Sequence, residues 1–408
     1  VYMMSFNSVS MLTRAMVPPE TEIYPELENF PYSRFSKSRR FTRFQLLSAM
    51  PLNLSGITID LYDLNGNGIV WEENYQETLH EVKDYLNKLT EIGVFKGRAS
   101  GVHVMFSQES SYALHTREGK SFEELYPGES FFRALLPAFG IPFVYCNNPD
   151  VTGEIVAVSG QYFRNLTEDQ IRHMFENNFM ILDGEAAYTL YDLGLGDLAN
   201  ITGVCWMKQN KGEYAFEQVV NDKIYCGMEN GRASAMLLCS DAVAVDYKEG
   251  ARPITGLYDS FRKYRAPGHT LATENVLIYP FGNFESFYEM PRMLLNNIRQ
   301  AIMQEIIEKA GQRFGVIPFV MGEPYVNPYY YKREGGFALY LVNAATDGLD
   351  SIRINVGNLK INKIYALQSK EGAEQGFSEQ EVLFTLEDGI LKLMISLDSM
   401  EAVLLIME

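Results

Sequence analysis

Tryptophan is nearly missing from this chain: Trp71 and Trp206 are the only two among 408 residues. Positive charge is also short. Thirty-five Lys and Arg stand against 52 Asp and Glu, a formal net charge of −17. A phosphate backbone needs a basic surface, so this balance argues against a nucleic-acid partner and against an anionic membrane. A neutral ligand such as a sugar is compatible with it. Cysteine is sparse, and Cys146, Cys205, Cys226 and Cys239 show no C-x-x-C spacing. Neither a zinc site nor a disulfide framework follows from them. No apolar run approaches the roughly 18 residues of a membrane span. Val1–Met16 lacks the charged start and continuous apolar centre of a signal peptide. That points to the cytoplasm, with a bacterial periplasm as the alternative.

What is present begins with two stretches. The first is Tyr24-Pro25-Glu26-Leu27-Glu28-Asn29-Phe30-Pro31-Tyr32. The second opens Gly56-Ile57-Thr58-Ile59-Asp60-Leu61-Tyr62-Asp63 and closes Asn65-Gly66-Asn67-Gly68. Each is a β-like run passing into a loop marked by proline or glycine. Between them, Phe41, Phe44, Leu47 and Met50 recur at helical spacing over 39–54. The order strand, loop, helix, strand, loop is a parallel β/α unit, which carries its chemistry on the loops after the strands. A further helix is expected over 74–93, stopped by Gly93. A short one, Ser10–Met16, is stopped by Pro18-Pro19.

Leu27-Glu28-Asn29-Phe30-Pro31 resembles the nucleophile segment late in the barrel of family 42 glycoside hydrolases, the β-galactosidases. Gly56–Asp63 resembles that barrel's last strand. The resemblance implies a retaining glycosidase with Glu28 as nucleophile and Asn29, Tyr32, Tyr62 and Asp63 lining a carbohydrate pocket. Such an enzyme needs a second carboxylic acid ~5–5.5 Å from the nucleophile. An eight-fold barrel takes about 250 residues, yet only about 100 precede the next domain. The expectation is therefore a chain that holds the end of a barrel and is weakly active or inactive by itself. The alternative is a non-catalytic carbohydrate-binding or oligomerisation module. The segment 1–100 is expected to pack on the domain that follows or on another subunit.

From about 101 to 315, strands and helices alternate as in a doubly wound α/β domain. Strands are expected at Val102–Phe106, Pro142–Tyr145, Ile155–Val158, Phe179–Leu182 and Val276–Pro280. Helices are expected at Gly128–Phe139, Thr167–Asn177 with Thr167 as N-cap, Asp183–Leu193 and about 285–310. A β-rich insertion covers about 203–253, including Ala235–Cys239. The domain resembles the class I amidotransferase-like (flavodoxin-type) trimerisation domain of the same glycosidases, which implies a homo-oligomer, a trimer. An amidotransferase needs a Gly-x-Cys-x-Gly elbow that exposes a thiolate. The corresponding turn reads Asp183-Gly184-Glu185-Ala186-Ala187 and has no cysteine. Cys146 reads as a core or edge thiol, and His173 as structural.

No cofactor is implied, because Gly194-Leu195-Gly196 is too short for a dinucleotide fingerprint. No metal is expected either. The loop 63–70 has a calcium-loop look, but its twelfth position is Asn74, where a bidentate carboxylate belongs. The segment 318–331 reads as a connector whose Tyr325, Tyr329, Tyr330 and Tyr331 either stack on sugars or glue the linker down. Residues 316–408 read as a C-terminal antiparallel β-sandwich, with half-buried alternation at Ile352, Ile354 and Val356.

Overall fold

The computed structural model describes residues 2–27, 37–60, 75–208, 211–221, 228, 230–234, 241–282, 294–370 and 376–408. They form two compact units. One joins residues 1–101, 140–142 and 318–408; the other holds 102–139 and 143–317.

The first unit begins with helix α1 (Tyr2–Met16), strand β1 (Glu26–Leu27), helix α2 (Arg39–Ala49), strand β2 (Thr58–Ile59) and helix α3 (Tyr75–Ile92). Ser38 caps α2 by accepting a hydrogen bond from the Phe41 N–H, which satisfies one of the donors a helix start leaves open. The chain leaves α3 through Gly93, whose φ of 69° lies in the left-handed region where glycine carries no Cβ penalty. The remainder of the unit is a six-stranded antiparallel sheet and a four-stranded one. The six-stranded order is Phe377–Glu381, Ile364–Ser369, Ala402–Met407, Gly336–Asn343, Val326–Arg333 and Arg98–Ser100.

The six-stranded sheet is covered on both faces, and its side-chain alternation divides them. Leu339, Leu341, Val403 and Leu405 pack against Ile352, Ile354, Leu391 and Leu393 of the four-stranded sheet. Ala338, Tyr340, Val342 and Leu404 point the other way, into a core with Phe44, Leu47, Val82, Tyr85 and Leu89 of α2 and α3. The described helices of the N-terminal hundred residues, α2 and α3, thus pack on the C-terminal sheet of their own unit. The reason is the apolar second face of that sheet, which needs a cover.

The connector reading of 318–331 is corrected. Phe319–Val320 and Val326–Arg333 are strands. Tyr330 and Tyr331 are buried there. The Tyr331 hydroxyl donates to the Pro51 carbonyl at 2.6 Å, and the Tyr329 hydroxyl accepts from Asn7 Nδ2 at 2.6 Å. Burial removes Tyr330 and Tyr331 from any stacking surface and leaves them the packing role.

The second unit is built on a seven-stranded sheet. Its parallel strands are β3 (Val102–Met105), β4 (Phe143–Cys146), β5 (Ile155–Val158), β6 (Phe179–Leu182) and β7 (Val276–Ile278). They lie in the order β7-β6-β5-β3-β4, with Thr270–Thr273 and Arg252–Pro253 added antiparallel at the β7 edge. Numbered along the chain, the parallel strands run 2-1-3-4-5, so the strand order reverses between β3 and β5. Residues of β5 and β6 are fully buried, as expected of parallel strands covered on both faces.

Helices α4 (Phe131–Ala138), α5 (Glu168–Asn177), α6 (Gly184–Asp192) and α7 (Asn297–Phe314) belong to this unit. Thr167 caps α5 in a full capping box with Gln170. The helix expected from about 285 instead starts at Asn297, capped by Asn296, and runs past Gly311 to a turn at Gly315. Residues 283–293 lie outside the described ones. Strands do occupy the expected insertion, at Ile201–Met207, Phe216–Val219, Arg232–Ser234 and Ala242–Tyr247, and continue to Tyr264–Pro267. The Ala235–Cys239 strand, Cys226 and Cys239 fall outside the described residues.

Candidate functional site

The β/α unit expected around the first two stretches is present. β1 and β2 pair in parallel, with Glu26 opposite Thr58 and Leu27 opposite Ile59. The Thr58 N–H donates to the Pro25 carbonyl at 3.1 Å, and the Asp60 N–H to the Leu27 carbonyl at 3.2 Å. The two strands therefore end side by side. α2 makes the crossover between them, as a parallel connection requires. Gly56 lies against the Tyr24 ring: a Cβ there would come within 2.7 Å of it, so the half-exposed ring would have to turn aside. Leu27 is buried against the helices, whereas Glu26 is exposed.

The chain passes from these strands into 28–36 and 61–74, which lie outside the described residues. Glu28, Asn29, Tyr32, Tyr62 and Asp63 are all among them, as are the calcium-loop residues 63–70. The structure thus describes the strands that lead to the candidate residues.

Beside β2 lies a groove of about 500 Å³. Leu46, Met50, Ile57, Ile59, Val82 and Leu86 line it, and Lys83 and Asn87 are its main polar groups. Among the described residues, no carboxylate lines it, so they supply no acid or nucleophile for a glycosidic bond. Among the described residues, β1 and β2 pair only with each other.

The second unit has its own concentration of polar groups, at the carboxyl ends of β3, β5 and β6. Asp183 caps α6 through a 2.7 Å bond from the Ala186 N–H and also accepts from the Gly160 N–H. Gly184 cannot be larger, because a Cβ would lie 2.4 Å from the Pro280 carbonyl oxygen. Glu185 follows Gly184 in the first turn of α6 and is buried. Its carboxylate accepts from Gln161 Nε2 at 3.2 Å. Burial raises the Glu185 pKa against the opposing pull of Arg117, Gln161 and Arg164. Burial, then the Glu185 charge, raises that of Asp183. Glu129 is pushed up to about 7 by burial, opposed by hydrogen bonds from Ser110 and Ser107. This cluster went unmarked in the sequence, since its carboxylates come from positions 129, 183 and 185 with no spacing motif. Only the position of 183–185 just after a buried-type strand pointed to it.

Cys146 ends β4, partly buried, with its thiol pKa raised by burial. Such a thiol is poorly nucleophilic. His173 lies in α5 and contacts Asn177 at 3.2 Å. Among the described residues, no group of three or more His, Cys, Asp or Glu is arranged to hold a metal. No described helix is long and apolar enough to cross a membrane.

No family profile matches the sequence, and no curated protein matches it. Solved structures do. An α-L-fucosidase isoenzyme 2 from Paenibacillus thiaminolyticus superposes with a TM-score of 0.63 at 10% identity, covering 98% of this chain and 63% of its own. A β-galactosidase from Bacillus circulans sp. alkalophilus gives 0.56 at 15% identity, over 95% of this chain and 57% of its own. A GH42 β-galactosidase from G. stearothermophilus gives 0.56 at 13% identity, over 99% and 56%. This chain therefore spans about three-fifths of the length of the structures it matches. The fold is like that of GH42 β-galactosidases and of other glycoside hydrolases, a mixed α/β architecture with several sheets.

Proposed function

We infer that the chain is the barrel-end, amidotransferase-like and β-sandwich portion of a retaining, β-galactosidase-like glycoside hydrolase. In this reading residues 1–100 are the end of a (β/α)8 barrel, 101–315 the oligomerisation domain and 316–408 the sandwich. Glu28 is the nucleophile, and Asn29, Tyr32, Tyr62 and Asp63 contact the sugar. The observation that carries the reading is the parallel β1–α2–β2 unit, whose strands end side by side where the chain enters 28–36 and 61–74, the stretches that hold these residues. The likeness to glycosidases over nearly the whole chain supports it. So does the apolar groove beside β2, a surface suited to further β/α elements of the barrel.

A retaining mechanism needs a general acid on the far side of the scissile bond. The reading places that acid on barrel elements beyond this chain. The chain alone is then expected to hydrolyse nitrophenyl β-galactoside only slowly. Glu28→Gln is expected to abolish that residual rate while galactose binding, followed by calorimetry, persists. Turnover unchanged in Glu28→Gln would remove Glu28 from the mechanism.

The second reading is a non-catalytic carbohydrate-binding or trimer-forming module, favoured by the glutamate that stands at the elbow where a cysteine would be. Galactose binding with no turnover in the wild-type chain would select it. A monomer in light scattering at micromolar concentration would reject its oligomer part.

A further inference from the structure

The second unit carries a pocket of about 220 Å³ at the other end of its parallel strands from the buried carboxyls. Phe179 opens β6 and Asn275 directly precedes β7, so the pocket lies by the amino ends of those strands. Its floor is apolar and buried, made of Phe179, Leu271, Ile306, Ala310 and Phe314. Phe179 meets Phe314 of α7 edge to face, with ring centroids 6.3 Å apart.

The rim is charged. Arg252, Lys309 and Arg313 stand there with one carboxylate, Glu274. Three cations to one anion inverts the balance of the chain, in which 52 acidic residues outnumber 35 basic ones. Such a local reversal focuses positive potential on the mouth of a concave site. The three cations are not equally engaged. Lys309 Nζ pairs with Glu305 at 2.8 Å. Arg313 Nη1 donates to Asn275 Oδ1 at 3.2 Å, and its guanidinium lies 5.0 Å from the centroid of the Phe314 ring. These two contacts hold the Arg313 fork in place while using one of its N–H donors. Among the described residues, the Arg252 guanidinium makes no hydrogen bond and no ion pair. A cation in the last turn of α7 complements the helix dipole, which accounts for Arg313 without any ligand. It does not account for Arg252, which a strand at the edge of the sheet brings to the same pocket.

We propose that this pocket binds a small organic carboxylate, its apolar body on the Phe179, Leu271 and Phe314 floor and its carboxylate held at the mouth by Arg252 and Arg313. Each half of the pocket excludes a simpler ligand. An inorganic anion would leave the dry floor uncovered, and a neutral apolar molecule would leave the guanidinium groups unused. Guanidinium and carboxylate match as planar, two-pronged partners. Drug-sized ligands occupy roughly 300–1,000 Å³, so this smaller pocket limits its ligand to about ten non-hydrogen atoms.

The test is a titration of the methyl-labelled whole chain by nuclear magnetic resonance, with the Leu271, Ile306 and Ala310 methyl groups of the floor as reporters. Cyclohexanecarboxylate should shift those signals saturably at millimolar concentration. Cyclohexylmethanol, which has the same ring without the charge, should bind at least ~10-fold more weakly, the expected value of a hydrogen bond to a charged group. Arg252→Gln should weaken the carboxylate by at least ~10-fold, and Arg252→Lys should recover part of that loss. No shift of the floor methyls, equal binding of the alcohol, or undiminished binding in Arg252→Gln would overturn the proposal. Inorganic phosphate displacing the carboxylate at equal concentration would also overturn it, since the floor would then contribute nothing. Should Arg252→Gln not fold, salt decides in the wild type. Affinity falling at least ~3-fold between about 20 and 300 mM sodium chloride supports the cationic mouth, and an unchanged affinity rejects it.

Discussion

Arg43 and Glu401 lie 358 positions apart and meet in the interior of the first unit. Arg43 Nε donates to Glu401 Oε1 at 3.1 Å, and Nη2 to Oε2 at 2.9 Å. The two side chains are 1% and 3% exposed. The Ser369 hydroxyl donates to the same carboxylate. This two-pronged pair fixes α2 to the C-terminal sheet. Replacing Arg43 with Met keeps most of the stem's bulk and strands a buried carboxylate that retains, among the described residues, the Ser369 hydroxyl as a side-chain donor. Breaking a buried pair from one side costs ~3–5 kcal/mol. At ~2–4 °C per kcal/mol for a domain of this size, the melting point of the unit should fall by about 6–20 °C. Arg43→Met/Glu401→Leu removes both charges and should recover most of that loss, because a buried pair often does no better than an apolar one. Arg43 Nη1 finds no acceptor among the described residues, which makes such recovery easier. Urea titration followed by circular dichroism measures both variants. A loss below ~1 kcal/mol in Arg43→Met would refute the claim that this contact holds residues 1–100 to the sheet.

Two further substitutions probe the second unit. Gly184→Ala puts a Cβ where only 2.4 Å separates it from the Pro280 carbonyl oxygen. Backbone must move, so thermal unfolding should show a loss of ~1–3 kcal/mol. Thr167→Ala removes the capping box of α5 and should cost ~0.5–2 kcal/mol in urea titration. Thr167→Ser retains the hydroxyl and should cost much less.

Much of the second unit was legible because its signals are local. Ile155–Val158 and Phe179–Leu182 are short apolar runs bounded by turns, and both are strands over those same residues. Thr167 sits three positions before Gln170, the spacing of a capping box. The long helix was misplaced because a hydrophobic stripe has no intrinsic start. Leu294 matches the stripe, yet the helix begins only after Asn296 supplies a cap. The packing of residues 1–100 was missed although a sign of it was present. Phe337–Val342 and Ala402–Ile406 are continuous apolar runs, whereas a sheet with one wet face alternates. Two covered faces needed a second cover, and α2 and α3 are the elements that supply it. Of the buried carboxyls, 183 and 185 had only their place after a buried-type strand as a signal and 129 had none, because their burial depends on which strands are neighbours.

The same logic bears on the glycosidase reading. A two-stranded parallel sheet is not a self-sufficient element, since parallel strands are normally flanked by further strands and covered on both faces. Here β1 and β2 have one covered face, a groove of about 500 Å³ beside them and no other described strand as partner. In the matched structures roughly two-fifths of the chain has no counterpart here. The firmly built parts of this chain are the two sheet-based cores, each closed within its own unit. The least self-contained part is the one that bears Glu28. If chemistry occurs there, its rate should be governed by what completes that parallel unit, and substitutions inside the two sheet cores should change stability while leaving the intrinsic rate of the completed site alone.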